Sequence, residues 1–279
     1  MRTTRAPDPG HVRVRLDLAY DGAGFAGFAR QPEQRTVQGE VEAALTAVLG
    51  QPAVTTAAGR TDRGVHALAQ VVHLDLDPTV PRAGPLLAGR DLAALRDRLA
   101  RLLDPSITLW QATRVGSGFD ARFSAVARGY RYRLIDDLAA CDPRRRGEQW
   151  VVGEPLALTP MRSAARHLLG EHDFAALCRA APGRSTVRRL DEVALHRPGP
   201  GRLDVRLRGP AFCHQQVRSI LGCLVEVGRG RRDPDWLREV LAGRDRSRAA
   251  RVAPPHGLTL ERVSYGRRWP GAPPRWVAT

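Results

Sequence analysis

One short loop of the sequence concentrates the residues that could do chemistry. A single carboxylate, that of Asp62, stands there between Arg60 and Arg63, in the stretch Gly59-Arg60-Thr61-Asp62-Arg63-Gly64-Val65-His66-Ala67. Nearby positive charge keeps a carboxylate ionised, so Asp62 could serve as a nucleophile or an electrostatic stabiliser while the arginines hold phosphates. The residues alone support equally a hairpin loop in which Asp62 caps its own backbone.

The elements that must position this loop are predicted from hydrophobic periodicity. Apolar residues alternate over 12–18, which is typical of a half-buried strand, and recur at helical spacing over 37–49, with Thr36 as N-cap and Gly50 at the end. Apolar stretches on either side of the loop predict a pair of strands, and 92–103 predicts a second helix before a closing strand. The predicted order is β-α-β-β-α-β.

The second half of the sequence repeats that order. Strands are predicted over 130–134, 190–195, 203–207 and 258–263, and helices over 159–170 and 217–228. We predict an α+β fold of two similar β-α-β-β-α-β halves, each a split β-α-β unit of ferredoxin-like type. The halves join into one mainly antiparallel sheet flanked by helices, with a basic cleft between them as the active site. Residues 1–114 form the N-terminal half with the Asp62 loop, and residues 115–279 form the C-terminal half.

Composition indicates a partner of opposite charge. The 279 residues are 43% hydrophobic and carry a net charge of +15, with 44 basic residues, all Arg, against 29 acidic ones. This excess favours a polyanion, nucleic acid first and a membrane surface second. No apolar stretch is long enough to span a bilayer, and Met1 to Pro9 lack the apolar core of a signal peptide. Since the four cysteines have no C-x-x-C spacing, we expect reduced thiols and a cytoplasmic protein.

The loop and an ordered series of other motifs resemble the bacterial tRNA pseudouridine synthase A family. The family signature looks like Gly-Arg-Thr-Asp-x-Gly-Val-His-Ala, which the loop matches. The likeness extends over nearly the whole chain, through Tyr20-Asp21-Gly22, Phe119 to Ala125, Arg128 with Tyr130 and Tyr132, Gly170-Glu171, Ala211-Phe212, Val217-Arg218 and Gly257-Leu258. No single coincidence produces such a set.

The resemblance implies an isomerase that converts uridine to pseudouridine in tRNA. The uridines lie just 3′ of the anticodon, in the anticodon stem-loop, and no metal or organic cofactor is needed. A homodimer whose basic clefts span one tRNA is also implied. The reaction breaks the N-glycosidic bond, turns the freed uracil and rejoins it to the ribose through C5. Two routes fit a carboxylate, a covalent adduct with the base or sugar and proton abstraction from the ribose to give a glycal, and the sequence leaves both open.

Residue by residue, the resemblance assigns distinct roles. Asp62 matches the catalytic aspartate, and Tyr130 matches the active-site tyrosine, whose ring stacks on the flipped uracil while its hydroxyl handles a proton. Arg218 matches the basic residue that pairs with the aspartate. Arg60 matches the residue that enters the space left by the flipped base. Further substrate contacts are expected from Arg63, Gly64, His66, Arg122 and Arg128.

The sequence departs from the family pattern at several positions. Residue 63 is Arg where the family usually has a small residue, Phe28-Ala29 replaces a Trp-Gln pair, and residues 100–107 differ from the family's docking segment. Substrate contacts there are expected to differ. Alanines at positions 57 and 58 exclude a cysteine nucleophile beside the loop.

Two rival functions deserve comparison. A non-catalytic RNA-binding protein of the same fold would gain nothing from a central carboxylate, because phosphates are bound by positive charge. An aspartate-dependent hydrolase would need a second acid or a metal cluster, and the sequence has no convincing spacing for either. Both rivals are therefore less favoured than the isomerase.

Overall fold

The computed structural model describes residues 6–179 and 182–266. These residues form two compact units, one containing the described residues up to Val126 together with those from Leu260, and the other Ala127–Thr259. Residues 115–126 thus group with the N-terminal part of the chain. Of the stretch compared with signal peptides, residues 1–5 lie outside the described range.

The elements follow the predicted alternation, with additions in the second half. The first half contains β1 (Val12–Tyr20), α1 (Val37–Leu49), β2 (Thr56–Ala57), β3 (His66–Leu76), α2 (Ala93–Ala100) and β4 (Ile107–Val115). The second half contains β5 (Ala127–Ile135), β6 (Trp150–Val151), α3 (Leu158–Arg166), β7 (Gly170–Asp173), β8 (Val187–Leu190), β9 (Glu192–Gly199), β10 (Arg202–Gly209), α4 (Gln216–Gly228), α5 (Trp236–Gly243) and β11 (Leu258–Ser264). The fold is mixed α+β with mainly antiparallel strands flanked by helices, as predicted.

Among the described residues, no helix has both the length and the apolar character needed to cross a bilayer.

Helix α1 begins and ends where the sequence predicts. The Thr36 side chain accepts a hydrogen bond from Gly39 N at 3.2 Å, which satisfies one of the unpaired N–H groups of the first turn. At the other end Gly50 has a φ of 70°, and its N–H donates to Thr46 O at 2.9 Å. Such a left-handed cap favours glycine, so the local sequence fixes both ends of the helix.

Strand β1 is the inner strand of the order β4-β1-β3 and is antiparallel to both neighbours. Its alternate polar residues Arg13 and Arg15 are buried, so the prediction of a half-buried strand is wrong. Ion pairing explains the burial: Arg13 donates two hydrogen bonds of 2.7 Å to Asp75, and Arg15 donates to Asp17 at 2.9 and 2.6 Å. Burial raises the pKa of Asp17, although Arg15 beside it has the opposite effect.

The second unit contains the antiparallel order β5-β10-β9, with β6 parallel to β5, and a separate pair formed by β7 and β8. The strand predicted over 190–195 is two strands, interrupted at Asp191. That carboxylate lies 2.8 Å from Arg189 Nε and 3.4 Å from Arg208 Nη1. Helix α3 also ends at Arg166, earlier than predicted, because β7 begins at Gly170. Helix α5 was not predicted, since its eight residues hold too short an apolar pattern.

Candidate active site

The loop that carries Asp62 connects β2 to β3, and side chains of the neighbouring strands fix its entry. Gln70 Nε2 donates a hydrogen bond of 2.7 Å to Gly59 O. The hydroxyls of Tyr20 and Thr61 share a hydrogen bond of 2.8 Å, and both groups are buried. The backbone just before Asp62 is therefore held in place by β1 and β3.

Two glycines let the segment after β1 lie against the backbone on both sides of Asp62. A Cβ at Gly22 would be 2.1 Å from Val65 O, a distance that no side chain can adopt. Gly27 has a φ of 116°, and a Cβ there would lie 3.1 Å from Thr61 O. Close backbone approach of this kind is available only to glycine. The chain on either side of Asp62 is thus clamped by a second segment.

The charged side chains of the loop differ in their exposure to solvent. Asp62 is half-buried, whereas Arg60 and Arg63 on either side of it are exposed. A tight turn follows, in which Val65 N donates to Asp62 O at 3.1 Å and Gly64 has a φ of 75°. The turn presents the carboxylate from a rigid backbone, and the exposed guanidinium groups lie where a polyanion could reach them.

His66 is buried at the start of β3 and contacts the turn after β1. Its Nδ1 lies 3.1 Å from Gly22 N and 3.0 Å from Asp21 Oδ1. One ring nitrogen cannot accept from Gly22 and donate to Asp21 at once. We favour acceptance from Gly22, because Gly22 and His66 are both buried while Asp21 is exposed. His66 thus holds the loop in position, and its predicted contact with substrate stays a prediction.

Tyr130 lies on β5 in the second unit, where an aromatic side chain orients it. The Phe212 ring meets the Tyr130 ring edge-on, at 5.0 Å between centroids and 83° between planes. Edge-to-face packing restricts the tilt of the phenol ring. Arg128, two residues earlier on the strand, is buried and donates from Nη1 to Pro210 O at 2.5 Å. Arg128 therefore fixes the same loop that carries Phe212.

Arg218 lies in the first turns of α4, against the segment that precedes β11. Its Nε donates to Ala253 O at 2.8 Å, and Ala253 N donates to the Arg218 carbonyl at 3.1 Å. Tyr132 contacts the same segment through a hydrogen bond of 2.8 Å from its hydroxyl to Pro254 O. Burial raises the pKa of Tyr132, and the Arg218 charge has the opposite effect. The backbone at Ala253 thus sets the direction in which the Arg218 side chain leaves the helix.

A disulfide joins Cys178 to Cys213, with their Cα atoms 5.9 Å apart. The expectation of four reduced thiols is therefore wrong for this pair, while Cys141 and Cys223 are free. The sequence separation of 35 residues gave no signal, because the cysteines meet only once the chain is folded. The bond ties the loop between β10 and α4, which carries Phe212, to the segment after β7.

The structure places the predicted residues in separate groups. Arg60, Asp62, Arg63 and Gly64 share one loop in the first unit, and His66 begins the strand that follows it. The first unit also contains Arg122. Arg122 is exposed, and its guanidinium carbon lies 5.4 Å from the centre of the Phe123 ring. The second unit contains Arg128, Tyr130 and Arg218.

Sequence reasoning missed two residues that position the loop, Gln70 and Thr61. Gln70 is completely buried on β3, and it donates at 3.3 Å to the Tyr20 hydroxyl that contacts Thr61. A lone amide between Ala69 and Val71 was the available signal, because a buried amide needs hydrogen-bond partners.

Among the described residues, no group of three or more His, Cys, Asp or Glu side chains could hold a metal ion.

A family model and several similar proteins point to the same family. A family model for tRNA pseudouridine synthase matches residues 164–266. The tRNA pseudouridine synthase A of Streptomyces avermitilis is 47% identical, with 92% of this chain and 89% of that protein covered. The enzymes of the same name from Frankia casuarinae and Mycobacterium leprae are 47% and 42% identical, covering 92% and 94% of this chain and 90% and 93% of theirs. With such identity over nearly the full length of both partners, and with the Asp62 loop intact, the chain belongs to the tRNA pseudouridine synthase A family.

Proposed function

We propose that this protein isomerises uridine to pseudouridine in tRNA. The observation that carries the proposal is the half-buried carboxylate of Asp62. It stands between two exposed arginines, on a loop clamped by β1, β3 and the segment around Gly27, in a chain of this family. A phosphate-binding surface alone has no use for a carboxylate at its centre, because the charge would repel the ligand.

The proposed reaction needs no co-reactant, because product and substrate are isomers. The bond between N1 of uracil and C1′ of the ribose breaks, and a bond between C5 and C1′ forms. C5 then loses its hydrogen as a proton, and N1 gains one. The protein must capture the nucleotide, hold the uracil while it turns and move these protons.

Asp62, Tyr130 and Arg218 are proposed to act on the same nucleotide. Asp62 contacts the base or the sugar directly, through either a covalent adduct or proton abstraction. Tyr130 stacks on the uracil, in an orientation supported by the edge-on Phe212 ring. Arg218 pairs with Asp62 and orients it, and Arg60 fills the space left by the flipped uridine.

The proposal also covers the position of the modified uridines, the compartment, the oligomeric state and the RNA-binding cleft. The modified uridines lie just 3′ of the anticodon in the anticodon stem-loop. The enzyme acts in the cytoplasm as a homodimer, and the two ferredoxin-like halves line a basic cleft. The 44 basic residues support an RNA partner.

Mapping of the product tests the proposed function. Purified protein is incubated with unmodified tRNA transcripts, and pseudouridine is located at nucleotide resolution. We expect conversion only in the anticodon stem-loop, just 3′ of the anticodon. Conversion elsewhere would contradict the proposed position, and no conversion in any transcript would contradict the proposed activity.

Replacing Tyr130 by Phe should separate binding from chemistry. Because stacking survives and only the hydroxyl is lost, tRNA affinity should be retained while the single-turnover rate falls by about 10²-fold, as for loss of a general acid or base. The matched control is Tyr132→Phe, which removes the hydroxyl bonded to Pro254 O. That control should lower the free energy of unfolding by about 1–3 kcal/mol without slowing the bound-state reaction. An unchanged rate in Tyr130→Phe would remove the proton-transfer role.

Replacing Arg60 and Arg218 by Ala should give different defects. Loss of Arg60 should impair extrusion of the uridine, because its exposed side chain is proposed to fill the vacated space. Loss of Arg218 should slow the chemical step by about 10²-fold and spare affinity, since its role is to orient Asp62. Single-turnover rates with saturating enzyme and tRNA affinities distinguish the two. If both variants lost only affinity, both arginines would be simple phosphate contacts.

A further inference from the structure

A basic cavity of about 570 Å³ lies in the second unit, and the reaction as described does not use it. It is lined by Ala175, Cys178, Arg179, Gln215, Arg244 and Arg246. Three of these six residues are arginines, whereas arginine makes up about one residue in six of the whole chain (44 of 279). We call this the arginine cavity.

The arginines of the cavity have few acidic partners. Arg244 Nε lies 3.3 Å from Asp173 Oδ2, the one carboxylate contact of the cavity among the described residues. Arg246 Nη2 donates to Gln215 Oε1 at 2.6 Å, while its Nη1 is buried without a hydrogen-bond partner in the described chain. Arg179 is exposed, and no carboxylate of the described residues pairs with it. The cavity therefore keeps an excess of positive charge.

The cavity wall is built from a constrained backbone. Gln215 has a φ of 64°, and Arg244 has a φ of 51°. Only three non-glycine residues of the described chain have a positive φ, and these are two of them. Arg244 follows the end of α5, where such a conformation is common, but Gln215 precedes α4 and has no such reason. Backbone strain in non-glycine residues concentrates at ligand sites.

The wall also connects to the residues proposed to hold the uracil. The loop between β10 and α4 carries Phe212, which packs on Tyr130, and three residues later Gln215, which lines the cavity. The bond from Cys178 to Cys213 and the hydrogen bond of 2.9 Å from Arg179 N to His214 O fix this loop. A group bound in the cavity would therefore lie on the same rigid loop as Phe212.

We propose that the arginine cavity binds a phosphodiester of the RNA strand that carries the target uridine. The inference rests on the proposed function for the identity of the RNA. Guanidinium groups suit phosphate oxygens, because their planar arrays of N–H donors match two oxygens at once. An acidic peptide is the less favoured ligand, because Ala175 and Cys178 are the only apolar residues of the lining that could hold its side chains.

The test compares Arg179→Gln and Arg246→Gln, singly and together, with a control that removes the same charge. Arg144→Gln with Arg145→Gln is that control, because both side chains are exposed in a 3-10 segment away from the cavity lining. Arg179→Gln alters an exposed side chain, so it keeps the test valid if Arg246→Gln unfolds the protein. Binding of an unmodified tRNA transcript is measured over a salt series. Each lost contact should lower the slope of log affinity against log salt by about one unit.

Phosphate ethylation interference locates the contact. For the unaltered protein, we expect ethylation to weaken binding at several phosphates of the tRNA. At one or two of them the interference should be lost in the cavity variants and kept in the control. An interference pattern identical in all proteins, or an unchanged salt slope in the double variant, would overturn the proposal. Inorganic phosphate at constant ionic strength is the second probe. Inorganic phosphate could stabilise the unaltered protein but not Arg246→Gln, while the substitutions leave tRNA affinity unchanged. The cavity would then bind free phosphate, and the RNA proposal would be wrong.

The two proposals fail in different ways. If the proposed function is wrong, tRNA incubated with the unaltered protein will contain no pseudouridine, whatever the interference pattern. If the cavity proposal is wrong, the cavity variants will keep the phosphate contacts of the unaltered protein, whether or not pseudouridine is formed. Each result can be obtained without the other.

Discussion

Replacing Asp62 by Asn is expected to reduce the single-turnover rate by roughly 10³-fold or more, which corresponds to about 4 kcal/mol of transition-state stabilisation. The amide has the same shape as the carboxylate but no charge, so it can neither attack the nucleotide nor remove a proton. Asp62 is also the single carboxylate of the loop from Gly59 to Ala67. No neighbouring acid can substitute for it.

Fold and binding should survive this change. The loop is held by Tyr20, Gln70 and backbone groups rather than by Asp62 alone, so the thermal unfolding midpoint should move little. Affinity for tRNA should be close to that of the unaltered protein, because the arginines remain. Turnover by Asp62→Asn near the normal rate would falsify the assignment of the catalyst. A large loss of affinity would instead assign Asp62 to binding.

Replacing Gly22 by Ala should damage the active site without touching a charged residue. A Cβ there would lie 2.1 Å from Val65 O, so the turn after β1 and the Asp62 loop must move apart. Overpacking of this kind costs about 1–3 kcal/mol of folding free energy. A displacement of the catalytic loop by about 1 Å should also lower the rate on the order of 100-fold. Thermal unfolding and single-turnover rates measure the two effects.

Gly24→Ala is the matched control, two residues along the same segment. Its Cβ would meet only Arg35 Nη1, at 3.4 Å, which is ordinary contact with the end of a flexible side chain. Rate and stability should therefore stay close to normal. Equal defects in both variants would show that the segment tolerates no side chain for a general reason, and the specific contact with Val65 would lose its role.

The sequence predicted those features that depend on local signals. Helix α1 was predicted from its spacing, with Thr36 and Gly50 at its ends, because capping is decided within a few residues. The Asp62 loop was recognisable because its residue types are adjacent in the chain. The role of Gly22 was not recognisable, since it depends on Val65 more than forty residues away.

The features that sequence reasoning misjudged depend on long-range partners. The burial of Arg13 on β1 requires Asp75 on β3, and no period of polar and apolar residues distinguishes a paired buried arginine from a solvated one. The bond between Cys178 and Cys213 and the arginine cavity likewise bring together segments that lie far apart in the chain. Local patterns therefore predict the elements and the catalytic loop, whereas the supports of the site require the folded structure.

Release of hydrogen from C5 tests the central claim most directly. A tRNA transcript containing uridine tritiated at C5 is mixed with an excess of protein, and tritium in the solvent is counted over a single turnover while the mass of the RNA is followed. We predict that the unaltered protein releases tritium in step with pseudouridine, with no strand cleavage and no loss of base, and that Asp62→Asn releases none. Binding without tritium release, or release of free uracil from the RNA, would contradict the account.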